Sequence, residues 1–416
     1  MKSIKQSLVV YACAFAVAGA VPFLLLPVLT SYLSPSQFGE ITAFLMFATL
    51  LGNFASFSAH GYVGVRYFKM ADQQLARIVG TSVGLLALTH LLALIILLLV
   101  HPLLVQVFEL TLSQSLLAIV AAFFMNLCLM WLALFQSSGQ AMHYLQARLI
   151  QGGLELILCI GLIVWVSVDP MARIASFALA LAASAFFGLR ICWRRGLFVP
   201  NFDLSQVKAI LVFGAPLLPH IVAGTTIVYV DRLIVSSVLG SDGLGLYMVS
   251  MQFGMTIVAL TEPLNKALAP WLFEQLSKSD DDVRRLIVRR TYQLFLVLFL
   301  IGLIVALLSN LIFDHLIDSR YEAAKALVPW MVGGFVMQGL YTSVVNYLFY
   351  SERTGWLSLT STCTAVMGCG VSWFMIKGFG LQGAAVSFAF NNALLFFLVW
   401  IVAARSVPMP WFPRLS

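Results

Sequence analysis

Residues 78–100 read IVGTSVGLLALTHLLALIILLLV, 23 positions without one Asp, Glu, Lys or Arg. As a helix rising 1.5 Å per residue this run is ~35 Å long, enough for a hydrocarbon core about 30 Å thick. Lipid offers the backbone no water, so such a run must be helical where it crosses. Two apolar runs precede it, Leu8–Leu29 and Ile41–Val65. Nine follow: Leu116–Phe135, Leu149–Val168, Ile174–Ile191, Ile210–Leu233, Leu244–Leu264, Tyr292–Phe313, Ala326–Tyr350, Trp356–Ile376 and Leu381–Ala403. Only 10% of the 416 residues are charged, too few to coat a soluble domain. The expected fold class is an all-α polytopic membrane protein with about 12 transmembrane helices.

Basic loops stay on the cytoplasmic side of a membrane. Of the 24 Lys and Arg residues, 18 fall on alternate connections beginning with Lys2 and Lys5, and only Arg173, Arg320, Lys325 and Lys377 fall on the opposite set. The asymmetry persists through all twelve crossings, which supports both the count and an orientation with both termini cytoplasmic. The net charge of +7 is then accounted for by this sorting and by anionic headgroups, and no nucleic-acid partner is implied. Lys2, Lys5 and Ala16-Val17-Ala18 have the look of a cleavable leader. The apolar run continues to Leu29, however, and an internal repeat uses this helix, so it is expected to be retained. The six cysteines (Cys13, Cys128, Cys159, Cys192, Cys363 and Cys369) form no CxxC and mostly lie inside spans. They read as small apolar packers, not as a disulfide frame or metal site.

The chain echoes itself. LTSYLSPSQFGEIT at 29–42 aligns with VSSVLGSDGLGLYM at 235–248, matching at Ser31/Ser237, Leu33/Leu239 and Gly39/Gly245. The offset is 206 residues. Ser176-Phe177-Ala178 aligns with Ser387-Phe388-Ala389 at an offset of 211. Six helices per half keep the same polarity, the pattern of a parallel repeat about an axis along the membrane normal. We therefore expect two pseudo-symmetric six-helix bundles, residues 1–200 and 201–416, with a cleft between them that opens to alternate sides.

The stretch Pro27-Val-Leu-Thr-Ser-Tyr-Leu-Ser-Pro-Ser-Gln-Phe-Gly39 resembles the first-loop signature of polysaccharide-repeat (Wzx-type) flippases. These belong to the multidrug/oligosaccharidyl-lipid/polysaccharide exporter superfamily. Asp231-Arg232-Leu-Ile-Val-Ser-Ser-Val-Leu-Gly240, Gly245-Leu-Tyr247 and Gly380-Leu-Gln-Gly-Ala-Ala385 resemble later signatures of the same family, and Arg66 sits where it often has an arginine. The resemblance implies a V-shaped pair of bundles. It also implies a flippase carrying undecaprenyl-pyrophosphate-linked oligosaccharide units, such as O-antigen or a related surface glycan, across a bacterial inner membrane. A glycan polymerase and glycosyltransferases of the same pathway are the implied partners. Lipid II flippases usually carry fourteen helices, so a count of twelve argues against a peptidoglycan cargo.

A charge inside the bilayer is costly and normally faces the protein interior or a hydrated cavity. The substrate-binding candidates are Arg66, Arg232, His60, His220, Arg148 and Lys266; His90 is a further titratable group within a span. Guanidinium forks suit the phosphate oxygens of such a cargo. The ion-coupling candidates, for a proton or sodium, are Asp231, Glu155 and Glu262. Asp231 and Arg232 lie near the expected outer end of the seventh span and, as helix neighbours, need separate partners. A cationic partner would make Glu155 structural. Pro22, Pro27, Pro216 and Pro219 fall in the first and seventh spans, equivalent under the repeat, and are candidate hinges because each removes a backbone donor. The alternative at each position is ordinary packing, snorkelling or a static kink.

No catalytic residue, cofactor or metal site is indicated. Gly378-Phe-Gly-Leu-Gln-Gly383 fits GxGxxG but has no surrounding βαβ unit, and neither a P-loop lysine motif nor HExxH occurs. The charged stretch 279–290 reads as a short cytoplasmic helix capped by Ser279 and resting on headgroups. Two other functions compete. A multidrug/cation antiporter of the same superfamily would favour an acidic cavity, whereas basic groups outnumber acidic ones among these candidates. A membrane-bound glycan polymerase would need a larger outer loop than the dozen residues around Asp314–Lys325.

Overall fold

The computed structural model describes residues 2–278, 280–351 and 353–411, with no strand among them. Ser279 and the side chains of Pro219, His220, Glu262 and Lys266 lie outside the described residues, so the readings placed on them rest on sequence alone. The chain divides into two compact units, Met1–Tyr229 and Val230–Ser416.

The first unit holds α1 (Lys2–Tyr32), α2 (Pro35–Ser56), α3 (Ala59–Tyr67), α4 (Asp72–Phe108), α5 (Leu112–Ser137), α6 (Ala141–Trp165), α7 (Pro170–Arg194) and α8 (Leu204–Gly214). Side-chain oxygens start several of these helices by satisfying orphan N–H groups. Ser34 and Gln37 form a reciprocal capping box on α2, and Thr111 and Gln114 form one on α5. The Asp169 carboxylate accepts from the Met171 N–H at 2.7 Å to open α7. Helix α8 belongs here because Phe213 packs edge-on to Tyr62 and the Thr81 hydroxyl accepts from the Asn201 amide and the Asp203 N–H.

A 3-10 turn at Ala215–Leu217 leads into α9 (Leu218–Leu276), which crosses into the second unit. There follow α10 (Asp281–Leu316), a 3-10 turn at Ser319–Tyr321, α11 (Glu322–Lys325), α12 (Val328–Tyr350) and α13 (Thr354–Ser406). Helices α9 and α13 each fold back on themselves. The Arg232 Nη2 and Met251 Sδ are 3.2 Å apart, whereas 19 residues of straight helix would separate them by ~28 Å. Ser372 Oγ and Asn391 Nδ2, also 19 residues apart, meet at 3.1 Å. The reversals occur at Gly240 (φ 70, ψ −173) and Gly380 (φ 57, ψ −136), conformations that a Cβ disfavours.

Nine helices among the described residues are long and apolar enough to cross a membrane. The reversals in α9 and α13 split two of these into pairs, and α12 adds a 23-residue pass, which yields the twelve expected crossings. The repeat also has a structural counterpart. The first unit turns at Ser34 and Asp169 and the second at Gly240 and Gly380. Those positions differ by 206 and 211 residues, the spacings of the two sequence echoes. Helices α4 and α10 carry long exposed apolar stripes, including Ile95, Ile96, Leu98 and Leu99, and Leu303, Leu307 and Leu311. Water does not tolerate patches of that extent. They are lipid-facing, and the protein is a multi-pass membrane protein.

Three local expectations are corrected. The second span is not one helix: Phe57 and Ser58 both take left-handed backbone (φ 43 and 52) and separate α2 from α3. Gly214 of α8 packs directly on the Phe57 carbonyl there, a tertiary contact that apolar periodicity cannot signal. The charged stretch after residue 279 is not a separate short helix. Asp280 caps α10 by accepting from the Asp282 N–H, and the helix then runs without a break to Leu316. Nothing between Arg290 and Tyr292 stops it. The seventh span runs on to the Gly240 reversal, so Asp231 and Arg232 are deeper than expected.

Candidate functional site

The second unit contains a polar constellation on its membrane-spanning helices, in which Ser372 is buried and Asp231 and Asn391 are half-buried. Asp231 lies nine residues before the Gly240 turn, Ser372 eight before the Gly380 turn, and Asn391 eleven after it. At 1.5 Å per residue these groups sit roughly 12–16 Å from the turns, about halfway through a hydrocarbon core of ~30 Å. The two hairpins bring them together. The Ser372 hydroxyl donates to Asp231 Oδ1 at 2.7 Å. The Asn391 amide donates to Ser372 Oγ at 3.1 Å, and the Gly368 carbonyl lies 3.5 Å from the same nitrogen.

On the adjacent face Arg232 is buried, with its guanidinium against the Met251 thioether. The Tyr247 hydroxyl is fully buried beside this pair and has no hydrogen-bond partner among the described residues; neither does Asn391 Oδ1. An unpaired buried polar atom costs ~1–3 kcal/mol, so these two atoms are available to an additional polar group beside the carboxylate. Sequence reasoning singled out Asp231 and Arg232 as candidates but not the neighbours Ser372, Asn391 and Tyr247 that the structure sets beside them. Ser and Asn in apolar helices are unremarkable alone, and only the reversals at Gly240 and Gly380 bring them into reach.

Glu155 has a partner that the sequence did not indicate. Arg173, counted from sequence among the loop charges, lies in the first turn of α7 and is 5% exposed. Its Nη2 is 2.5 Å from Glu155 Oε1, itself on a residue 6% exposed. The Asp169 cap starts α7 early enough to carry Arg173 inside. Given that partner, Glu155 reads as half of a structural ion pair.

The remaining candidates are scattered over the first unit. Arg66 closes α3 with its guanidinium 5.0 Å from the Tyr62 ring centroid. Arg148 lies over Tyr144 at 5.9 Å and donates to the Gln151 side chain. Both are half-buried, and neither has a carboxylate partner among the described residues. His60 is half-buried at the start of α3. His90 is buried, with Nδ1 2.7 Å from the Leu86 carbonyl and Nε2 3.3 Å from the Asn126 amide, which also donates to the Gly52 carbonyl. A neutral ring with its proton on Nδ1 satisfies every one of these contacts, the arrangement of a packed histidine. Helix α1 stays continuous through Pro22 and Pro27, while the chain is interrupted around Pro216 by the 3-10 turn.

Residues 4–276 match the family described as "Polysaccharide biosynthesis protein". A protein of the Lsg locus of Haemophilus influenzae is 23% identical over 379 residues, covering 88% of this chain and 90% of its own. A second membrane protein of Haemophilus influenzae is 26% identical over 387 residues, covering 89% of each. Among solved structures, the lipid II flippase MurJ in an inward closed conformation superposes with a TM-score of 0.73 at 11% identity, over 95% of this chain and 87% of MurJ. An inward-facing multidrug resistance MATE family transporter superposes with a TM-score of 0.67 at 13% identity, over 95% and 94%. At such identities the superpositions speak to fold alone. The chain belongs to the polysaccharide biosynthesis protein family and is a multi-pass membrane protein with the fold shared by MATE transporters and the MurJ flippase.

Proposed function

We propose that this protein is a flippase that moves undecaprenyl-pyrophosphate-linked oligosaccharide units, O-antigen or a related surface glycan, from the cytoplasmic to the periplasmic leaflet of a bacterial inner membrane. The observation that carries the reading is the coincidence of a polysaccharide-biosynthesis family match with a flippase-like fold. Both termini lie in the cytoplasm, and a polymerase and glycosyltransferases of the same pathway act beside it. Arg66 and Arg148, half-buried and free of carboxylates among the described residues, meet the pyrophosphate. Asp231 is the coupling group. A mid-membrane carboxylate beside the Ser372 hydroxyl and the unpartnered Asn391 oxygen suits a proton or a sodium ion, since hard cations prefer oxygen ligands. The cargo alternates between leaflets as that site loads and empties.

The test is a deletion strain lacking redundant flippases. Lipid-linked repeat units should accumulate in the inner leaflet, and the wild-type gene should restore surface glycan. Asp231→Asn should leave the protein folded in the membrane yet fail to restore it. Normal surface glycan in the deletion strain would refute the function. Full rescue by Asp231→Asn would refute the coupling role alone. The likeness to MATE transporters favours drug/cation antiport as a second reading. Dye efflux from overproducing cells, with surface glycan unaffected by deletion, would decide for it.

A further inference from the structure

The second unit holds a cavity of about 560 Å³ between α9, α10 and α12, away from the Asp231 constellation. It lies toward the end of the unit that positive-charge sorting assigns to the cytoplasm. Its inner end is closed by close packing, where Gly339 sits against Thr261 and Leu298. Val297 and Leu294 continue an apolar wall. Eight residues, or ~12 Å of helix, below Leu298 stands Arg290 at the polar mouth.

The mouth is equipped to hold an anion. Asn346 Nδ2 donates to Asn265 Oδ1 at 2.7 Å, which occupies the Asn265 oxygen and leaves its NH2 to donate. Ser343 and Gln293 complete the polar belt. Charge bookkeeping along α10 singles out Arg290. Six and five residues earlier, Arg284 and Arg285 are matched by Asp281 and Asp282 at 3.5 and 3.7 Å. Arg290 has no carboxylate partner among the described residues and reaches only Gln293 on its own helix, at 3.2 Å. Arg289 points elsewhere, into a cleft shared with Pro408 and Trp411.

We infer that this cavity binds an anionic phospholipid of the cytoplasmic leaflet, with one acyl chain in the apolar inner end and the phosphate on Arg290 and Asn265. An apolar inner end above a cationic, amide-lined band, with Leu286, Leu268 and Trp271 at the outer rim, matches a lipid in polarity, and that leaflet is rich in anionic headgroups. The volume lies within the range of ~300–1,000 Å³ typical of single small-ligand sites, which suits one acyl chain and is too small for a whole polyprenyl cargo chain.

The test is native mass spectrometry of the full-length protein in detergent, titrated separately with phosphatidylglycerol, phosphatidylcholine and undecaprenyl phosphate. One phosphatidylglycerol should bind in preference to the other two. Arg290→Gln should weaken it about tenfold, as expected for losing a charge-assisted hydrogen bond. Arg289→Gln should leave it within about twofold, and Ser343→Phe, which fills the mouth, should abolish it in a protein of unchanged melting temperature. Equal binding of phosphatidylcholine, or Arg290→Gln binding like the parent, would overturn the inference. Tighter, Arg290-dependent binding of undecaprenyl phosphate would overturn the phospholipid assignment in favour of a cargo subsite. The readout is binding in the absence of transport, so it stands or falls separately from the flippase reading.

Discussion

Replacing Glu155 with Gln removes one charge from an ion pair in which both residues are at most 6% exposed. Arg173 Nη1 already lacks a hydrogen-bond partner among the described residues, so the Glu155 carboxylate is the chief compensation for that guanidinium. Breaking a buried pair from one side costs ~3–5 kcal/mol because the surviving charge stays in a poor solvent. Spread over a unit of this size, that lowers the melting temperature by roughly 6–20 °C. The double variant Glu155→Gln/Arg173→Met removes both charges and should recover most of that loss, since replacing such a pair by neutral groups is often close to neutral. Thermal unfolding of the four proteins in detergent completes a double-mutant cycle. A melting point for Glu155→Gln within 2 °C of the parent (an order-of-magnitude threshold) would refute the buried-pair reasoning, as would a double variant no more stable than the single one. Transport separates structure from coupling: the double variant should restore surface glycan. Loss of flux in a stable double variant would return Glu155 to the list of coupling groups.

Three further outcomes follow from the same geometry. Ser372→Ala removes the hydroxyl that donates to Asp231 and should shift the ion dependence of transport about tenfold, read as flux against proton or sodium concentration; an unchanged dependence would remove Ser372 from the site. Gly240→Ala puts a Cβ at φ 70 and should cost ~1–3 kcal/mol, seen as lower thermal stability and membrane yield, whereas Gly333→Ala, inside α12 with open space around it, should not. Pro27→Ala tests the hinge proposed for α1: the helix is already continuous through Pro27, so transport should fall while stability holds, and unchanged flux with normal expression would mean a static kink.

Much of the architecture was legible because the bilayer imposes a strong and simple rule. A run such as Ile78–Val100 has no state in lipid other than a helix, so the crossings, their alternation and the basic asymmetry come straight from composition. The duplication was also visible, in Ser31/Ser237, Leu33/Leu239 and Gly39/Gly245 and in the Ser-Phe-Ala echo at 176 and 387, which flank the places where the chain reverses. The resemblance to polysaccharide flippases rested on Pro27–Gly39, Asp231–Tyr247, Gly380–Ala385 and Arg66, and the match over residues 4–276 supports it.

Side-chain partnership was not legible. Arg173 reads from sequence as a loop charge, yet the Asp169 cap begins α7 early enough to bury it against Glu155. Ser372 and Asn391 carry no sequence signal, yet two reversals set them beside Asp231. The break at Phe57 and Ser58 lies where Gly214 of α8 packs on the Phe57 carbonyl, a contact between segments far apart in the chain. Hydrophobic transfer is a sum over each segment's own residues, so the order of amino acids alone determines which segments enter the membrane. Which polar groups meet inside it depends on distances between segments far apart in the chain, and only the packed helices set those distances.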